Sequence, residues 1–183
     1  MLAAACAVGC AAQNTPGAKT GVTTSPIAAS VLPTWNMLAD QFVAAAGAMP
    51  ADKYEFAPVQ GEFRGVRTFA QQVKHVACAN YGFFKQVRNE EPPVGCGTGG
   101  PDPAKSKAEL IAYLRASFTF GAEVISSLDA NRPLEAVSGP YGGTRTRLGM
   151  AVLAVWHGSD NYGQIVEYLR MNGIVPPASR PAP

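Results

Sequence analysis

Charge is scarce in this sequence: Asp, Glu, Lys and Arg make up 15% of its 183 residues and leave a formal charge of only +2. So small a basic excess, scattered along the chain, argues against a nucleic-acid partner, which calls for Lys and Arg clustered on one face. Long apolar runs are missing too. No stretch reaches the roughly 18 residues that a spanning helix needs, which argues against an integral membrane protein. There is no β-alternation of useful length and no internal repeat. Histidine occurs only at His75 and His157, and cysteine at four positions. Imidazole or thiolate ligands for a metal would have to come from that short supply.

Apolar residues, at 47%, are plentiful enough for one sizeable core, and the length suits a single domain. Gly and Pro cluster at the ends and between Pro92 and Pro103, the pattern of a compact body with loops. The opening MLAAACAVGCAA has the apolar and small residues of an export signal but lacks a basic n-region. Cys6 and Cys10 each follow small residues, as an acylated lipoprotein cysteine would, and ordinary cleavage after Ala11 or Ala12 fits equally. The expected organisation is a signal or lipoprotein segment at 1–12, a flexible linker at 13–29, a folded body at 30–177 and a disordered tail at 178–183. That makes the protein exported, periplasmic or envelope-anchored, with membrane contact only through an N-terminal lipid.

Four segments carry helical periodicity. The first runs from Pro33 to Met49, with Trp35, Leu38, Phe42, Ala45 and Met49 on one face. Pro33 suits a first-turn position. The second opens on a capping box of Thr68 and Gln71 and carries Phe69, Val73, Val76, Phe83 and Val87. The third starts near Ser106, where Glu109 forms a second box, and carries Leu110, Leu114, Phe118, Ile125 and Leu128. Residues 131–143 read as loop. The fourth runs from Thr144 to Met171 and stops at Asn172-Gly173. Long helices joined by loops predict an all-α fold, an antiparallel four-helix bundle.

The fourth helix is unusual. Leu148, Val152, Val155, Tyr162, Val166 and Leu169 predict its apolar face, yet Met150, Ala154 and Ile165 lie roughly opposite, beside His157, Asn161, Gln164 and Tyr168. A helix apolar on two sides is either central or covered by a second copy of the chain. His157 and Asn161 are four apart, so they stack on one face. His75 lies in the middle of the second helix, with Ala79 and Gly82 leaving space beside it. Two such imidazoles can equally be satisfied core groups or half of a metal site, since Zn or Ni needs at least three protein ligands. Cys78, three residues after His75, could add a thiolate, pair with Cys96 beyond the same helix, or stay a buried thiol.

The segments MPADKYEFAP, VRTFAQQVKHVACANYGFF, KAELIAYLRASF and WHGSDNYGQIVEYLRMNGIVPP resemble the DinB-like family. The resemblance spans the chain from the first helix to Pro177. It implies a four-helix bundle of the DinB/YfiT type, allows a homodimer, and implies a divalent metal, Zn or Ni. In that family the ligands are a histidine of the second helix and both histidines of an H-x-x-x-H in the last. His75 and His157 match the first two positions, and Asn161 stands at the third. Asp160 stands where the family often has Glu, and Gln164, Tyr168 or Asp160 would orient a ligand of unknown identity. No catalytic residue can be named. Relatives include metal-dependent thiol transferases and a thiol-dependent isomerase that use cytosolic thiols. The resemblance therefore implies a divalent-metal-binding envelope protein, a transferase or hydrolase with an incomplete histidine site. The alternative is a non-catalytic small-ligand-binding or structural bundle that has lost its metal.

Overall fold

The computed structural model describes residues 25–93, 106–140 and 143–181. Cys6, Cys10 and Cys96, and the segment read as an export signal, lie outside the described residues. Four helices, α1 (Pro26–Ala48), α2 (Phe69–Val87), α3 (Lys107–Ser126) and α4 (Arg147–Met171), form the four-helix bundle expected from the sequence, though not every neighbouring pair is antiparallel. A short hairpin of β1 (Ala136–Ser138) and β2 (Thr144–Thr146) precedes α4. No helix among the described residues is long and apolar enough to cross a membrane.

Local chemistry sets the ends of each helix. The Thr68 hydroxyl accepts the Gln71 amide N–H at 3.3 Å, and the Gln71 side chain accepts the Thr68 N–H at 2.9 Å, a complete capping box. Ser106 also caps α3, but the Glu109 carboxylate takes the Ser106 hydroxyl rather than completing a reciprocal box with its backbone. At the end of α4, Gly173 at φ 72° and bonds from Gly173 N to Arg170 O and from Ile174 N to Leu169 O make a Schellman stop.

Three boundaries differ from the sequence reading. α1 begins at Pro26, inside the stretch expected as linker, because Ser25 caps Ala28 and Pro26 takes the first-turn position assigned to Pro33. Pro33 instead sits in the helix interior on its exposed side. The hairpin occupies part of the expected 131–143 loop and the expected start of α4, its strands too short to show alternation. Pro177–Ser179 forms a single 3-10 turn across the expected boundary between folded body and tail.

Helix directions follow from the contacts. Lys107 Nζ of α3 donates to the Gly47 and Met49 carbonyls at the end of α1 (2.8 and 2.6 Å), while Ser25 at the start of α1 donates to Leu128 O after α3. These two helices are antiparallel. α2 and α4 are antiparallel too, since Gln72 meets Asn161 and Arg147 reaches Val87 O. Across α1 and α4, Leu38 meets Gly158 and Phe42 meets Tyr162, so that pair runs parallel. The ring order is α1, α3, α2, α4.

The core stripes read from α1, α2 and α3 are all buried. α4 packs through parts of both its apolar sides, with Leu169 buried and Tyr162 against Phe42 on the expected face. Met150, Ala154, Ile165, His157 and Asn161 face the core, whereas Val152 is 56% exposed on the face expected to be buried. The physical reason is pairing: the polar groups of the inward face bond to α2, so they can be buried beside apolar neighbours.

Trp35 anchors the centre. Its indole N–H donates to Phe118 O at 3.0 Å, and its rings pack on Phe84 and Phe118 at centroid separations of 5.2 and 4.9 Å. Gly121 makes room for it, because a Cβ there would overlap Trp35 and lie 2.7 Å from Phe84. Gly121→Ala should therefore destabilise the fold by about 1–3 kcal/mol despite alanine's higher helix propensity. Urea unfolding measures this, and an unchanged or higher midpoint would contradict the packing described.

Candidate functional site: a polar seam between α2 and α4

Within the seam, α2 brings Gln72 and His75 to one face, three residues apart, and α4 brings His157, Asn161 and Gln164 to meet them. His75 Nε2 and His157 Nε2 lie 3.0 Å apart. The Phe83 ring stands edge-on to His157 at 5.3 Å. Burial, the Arg67 guanidinium and the neighbouring His157 push the His75 imidazole down to about 4. Burial also holds His157 below its ordinary value, with Asp160 opposing and Arg67 adding to the shift. Two neutral rings at this separation share one N–H···N hydrogen bond. Behind it, His157 Nδ1 is buried with no hydrogen-bond partner among the described residues.

One turn further along, Asn161 is held at both ends of its amide. Its Nδ2 donates to His157 O at 2.7 Å, and its Oδ1 accepts from Gln72 Nε2 at 2.5 Å. Gln72 Nε2 also donates to Gln164 Oε1 at 2.8 Å, and Gln164 Nε2 donates to Asp160 Oδ2 at 3.1 Å. Asp160 is exposed, at the outer end of this chain of bonds. The Tyr168 hydroxyl donates to Arg67 O at 2.9 Å and closes the seam towards the start of α2.

The structure thus brings together His75, His157, Asn161, Gln164, Asp160 and Tyr168. Gln72 was not foreseen as a site residue, although it is 1% exposed and sits three residues before His75 on the same face. A glutamine inside the apolar stripe of α2 was the available signal. Cys78 is disulfide-bonded. A disulfide sulfur is not a thiolate, so Cys78 cannot supply the strong ligand that its spacing allowed.

The matching family model decides the assignment: the description is DinB superfamily, and the match covers residues 35–165. The chain belongs to the DinB superfamily. Among curated proteins none matches it.

DinB relatives commonly carry a divalent metal, and the donor set of this chain does not fit one well. The two Nε2 atoms are close enough to serve one ion, but the described residues contain no group of three His, Cys, Asp or Glu able to hold it. The Asn161 amide oxygen, at the position where the resemblance expects a histidine, accepts from Gln72. The unpartnered His157 Nδ1 also lacks the hydrogen bond that ordinarily orients a ligating imidazole.

The neutral imidazoles give a pH signature. With folded-state values below the unfolded 6.5, the unfolded chain takes up protons first as pH falls, so the pair's contribution is intact above about 6.5 and is lost towards about 4. Wild type should lose more thermal stability between about pH 7 and about pH 4.5 than the His75→Gln/His157→Gln variant. Equal losses in both proteins would contradict the assignment.

Proposed function

We propose that this DinB-superfamily chain is an exported, non-catalytic bundle in which the metal centre has become a closed hydrogen-bonded seam, and that it binds a small ligand or serves an envelope structure. One observation carries the reading: both ends of the Asn161 amide are taken up inside the protein, by Gln72 and by the His157 carbonyl. To ligate an ion, Asn161 Oδ1 would have to do so with its second lone pair, in the orientation that its bond to Gln72 and the bond of its Nδ2 to the His157 carbonyl already fix. A neutral amide is also a weaker ligand for Zn or Ni than the imidazole it replaces.

Export is supported by the disulfide at Cys78, which suits an oxidising compartment, and by the apolar opening of the sequence. The same location weakens the transferase reading, since the thiols used by such relatives are cytosolic. The metal reading retains one favourable observation, the 3.0 Å approach of the two ring nitrogens.

Elemental analysis of purified protein incubated with excess Zn and Ni, then desalted, separates the two readings. Wild type should retain well below one equivalent, whereas Asn161→His, which adds the third nitrogen, should retain about one. Stoichiometric metal in wild type that disappears in His157→Ala would overturn the proposal.

A further inference from the structure

The polar seam occupies one flank of α4 and leaves the outward flank beside α1 unused. There Val152 is 56% exposed and Trp156 60%, and Met37 of the adjoining α1 is 56% exposed. Leu148, Val152, Trp156, Ser159, Gly163 and Val166 recur at spacings of three and four, so they form one stripe along α4. No charge falls on that stripe. Asp160 lies on its far side, bonded to Gln164 of the seam, and Asp40, the one charged residue of α1, lines the groove towards α3. An uncharged patch with a largely exposed tryptophan at its centre is the kind of surface that marks an interface.

Shape points to the occupant. Trp156 and Gly163 are seven apart, hence two turns from each other on the same stripe, with Ser159 between them. A glycine in mid-helix is less favourable than alanine, and tight packing is the usual compensation. Packing accounts for Gly121, which faces Trp35, and for Gly158, where a Cβ would lie 2.6 Å from Leu38. Nothing lies within 4 Å of a Cβ built at Gly163, which is exposed. A two-fold axis through α4 near Ser159 would set each Trp156 over the partner's Gly163 and each Val152 against the partner's Val166. The large group and the open position then complement each other twice, as an isologous interface requires.

Extent and charge agree with this. α1 runs parallel beside the stripe, with Leu38 at Gly158 and Phe42 at Tyr162. The two helices present a face about 28 Å long and about 20 Å wide, on the order of 600 Å² per copy, where the range of specific interfaces begins. Two uncharged faces also meet without like-charge repulsion.

We propose that this face of α1 and α4 is a homodimer interface, with the two α4 helices packed antiparallel about Ser159 and Trp156 of each seated on Gly163 of the other. The pairing is independent of the reading of the seam, whose residues face α2.

Sedimentation equilibrium of the purified protein over a dilution series tests it. Wild type should have twice the 19.1 kDa chain mass at about 50 µM. Trp35 is fully buried, so Trp156 alone should shift its fluorescence to longer wavelength as dilution separates the copies. Trp156→Glu should weaken association at least about 30-fold, the loss expected for a central tryptophan. Gly163→Leu should do the same by filling the open position, and both variants should keep wild-type helical circular dichroism because both sites are exposed. Val152→Glu should dissociate the pair, and Val152→Glu/Val166→Lys should restore it. Those two positions are about 21 Å apart along one helix and meet only across the two-fold axis. Wild type that stays monomeric at about 50 µM, a dimer that withstands Trp156→Glu or Gly163→Leu, or a double variant that remains dissociated would overturn the proposal. Open assemblies larger than a dimer would overturn it too, because an isologous pair closes.

Discussion

Polar groups buried between α2 and α4 have to find their partners inside the seam, and that constraint organises this bundle. Gln72, His157 and Asn161 are all at most 6% exposed, in contact with a core of leucine, valine and aromatic side chains. Each unmet donor or acceptor there would destabilise the fold by an amount comparable to a whole hydrogen bond. The bonds that meet the constraint, Gln72 to Asn161, Gln72 to Gln164 and the His75–His157 contact, fix the register of α4 against α2. They also explain why α4 turns its polar stripe inward and leaves Val152 and Trp156 exposed.

The remaining seams are set by shape. Gly158 lets α4 approach Leu38 of α1, and Gly121 lets α3 close over Trp35. Between α2 and α3 a second buried amide, Asn80, donates to the Ser117 hydroxyl, which in turn donates to Leu114 O. Its Oδ1 has no partner among the described residues. Close helix approach on the Trp35 side and hydrogen bonding on the His75 side together hold His157 buried and His75 partly buried. That position keeps both rings neutral.

Much of this was legible in the sequence because apolar periodicity maps directly onto burial. Trp35, Leu38, Phe42, Val73, Val76, Leu114 and Phe118 took their places as their spacing implied. So did the capping box at Thr68 and Gln71, whose partners are local. The i, i+4 relation of His157 and Asn161 was legible for the same reason. The sequence hid what depends on a distant partner. Counting apolar residues on α4 left two faces open, because nothing local says that Asn161 will be met by Gln72, 89 positions away. The three-residue strands around Val137 and Arg145 are likewise held by each other rather than by propensity.

Membership of the DinB superfamily accounts for the bundle and for the placement of two histidines on facing helices. It does not fix the function, which lives in the particular residues grafted onto the fold. In this chain those residues form a hydrogen-bonded network that leaves His157 Nδ1 without a partner among the described residues. Long-range ¹H–¹⁵N spectra of the two imidazoles, recorded before and after addition of Zn²⁺, test that account most directly. It predicts neutral rings joined by one shared N–H···N proton, with ring-nitrogen shifts that zinc leaves unchanged. Movement of both Nε2 resonances to metal-bound values, with loss of the shared proton, would contradict it.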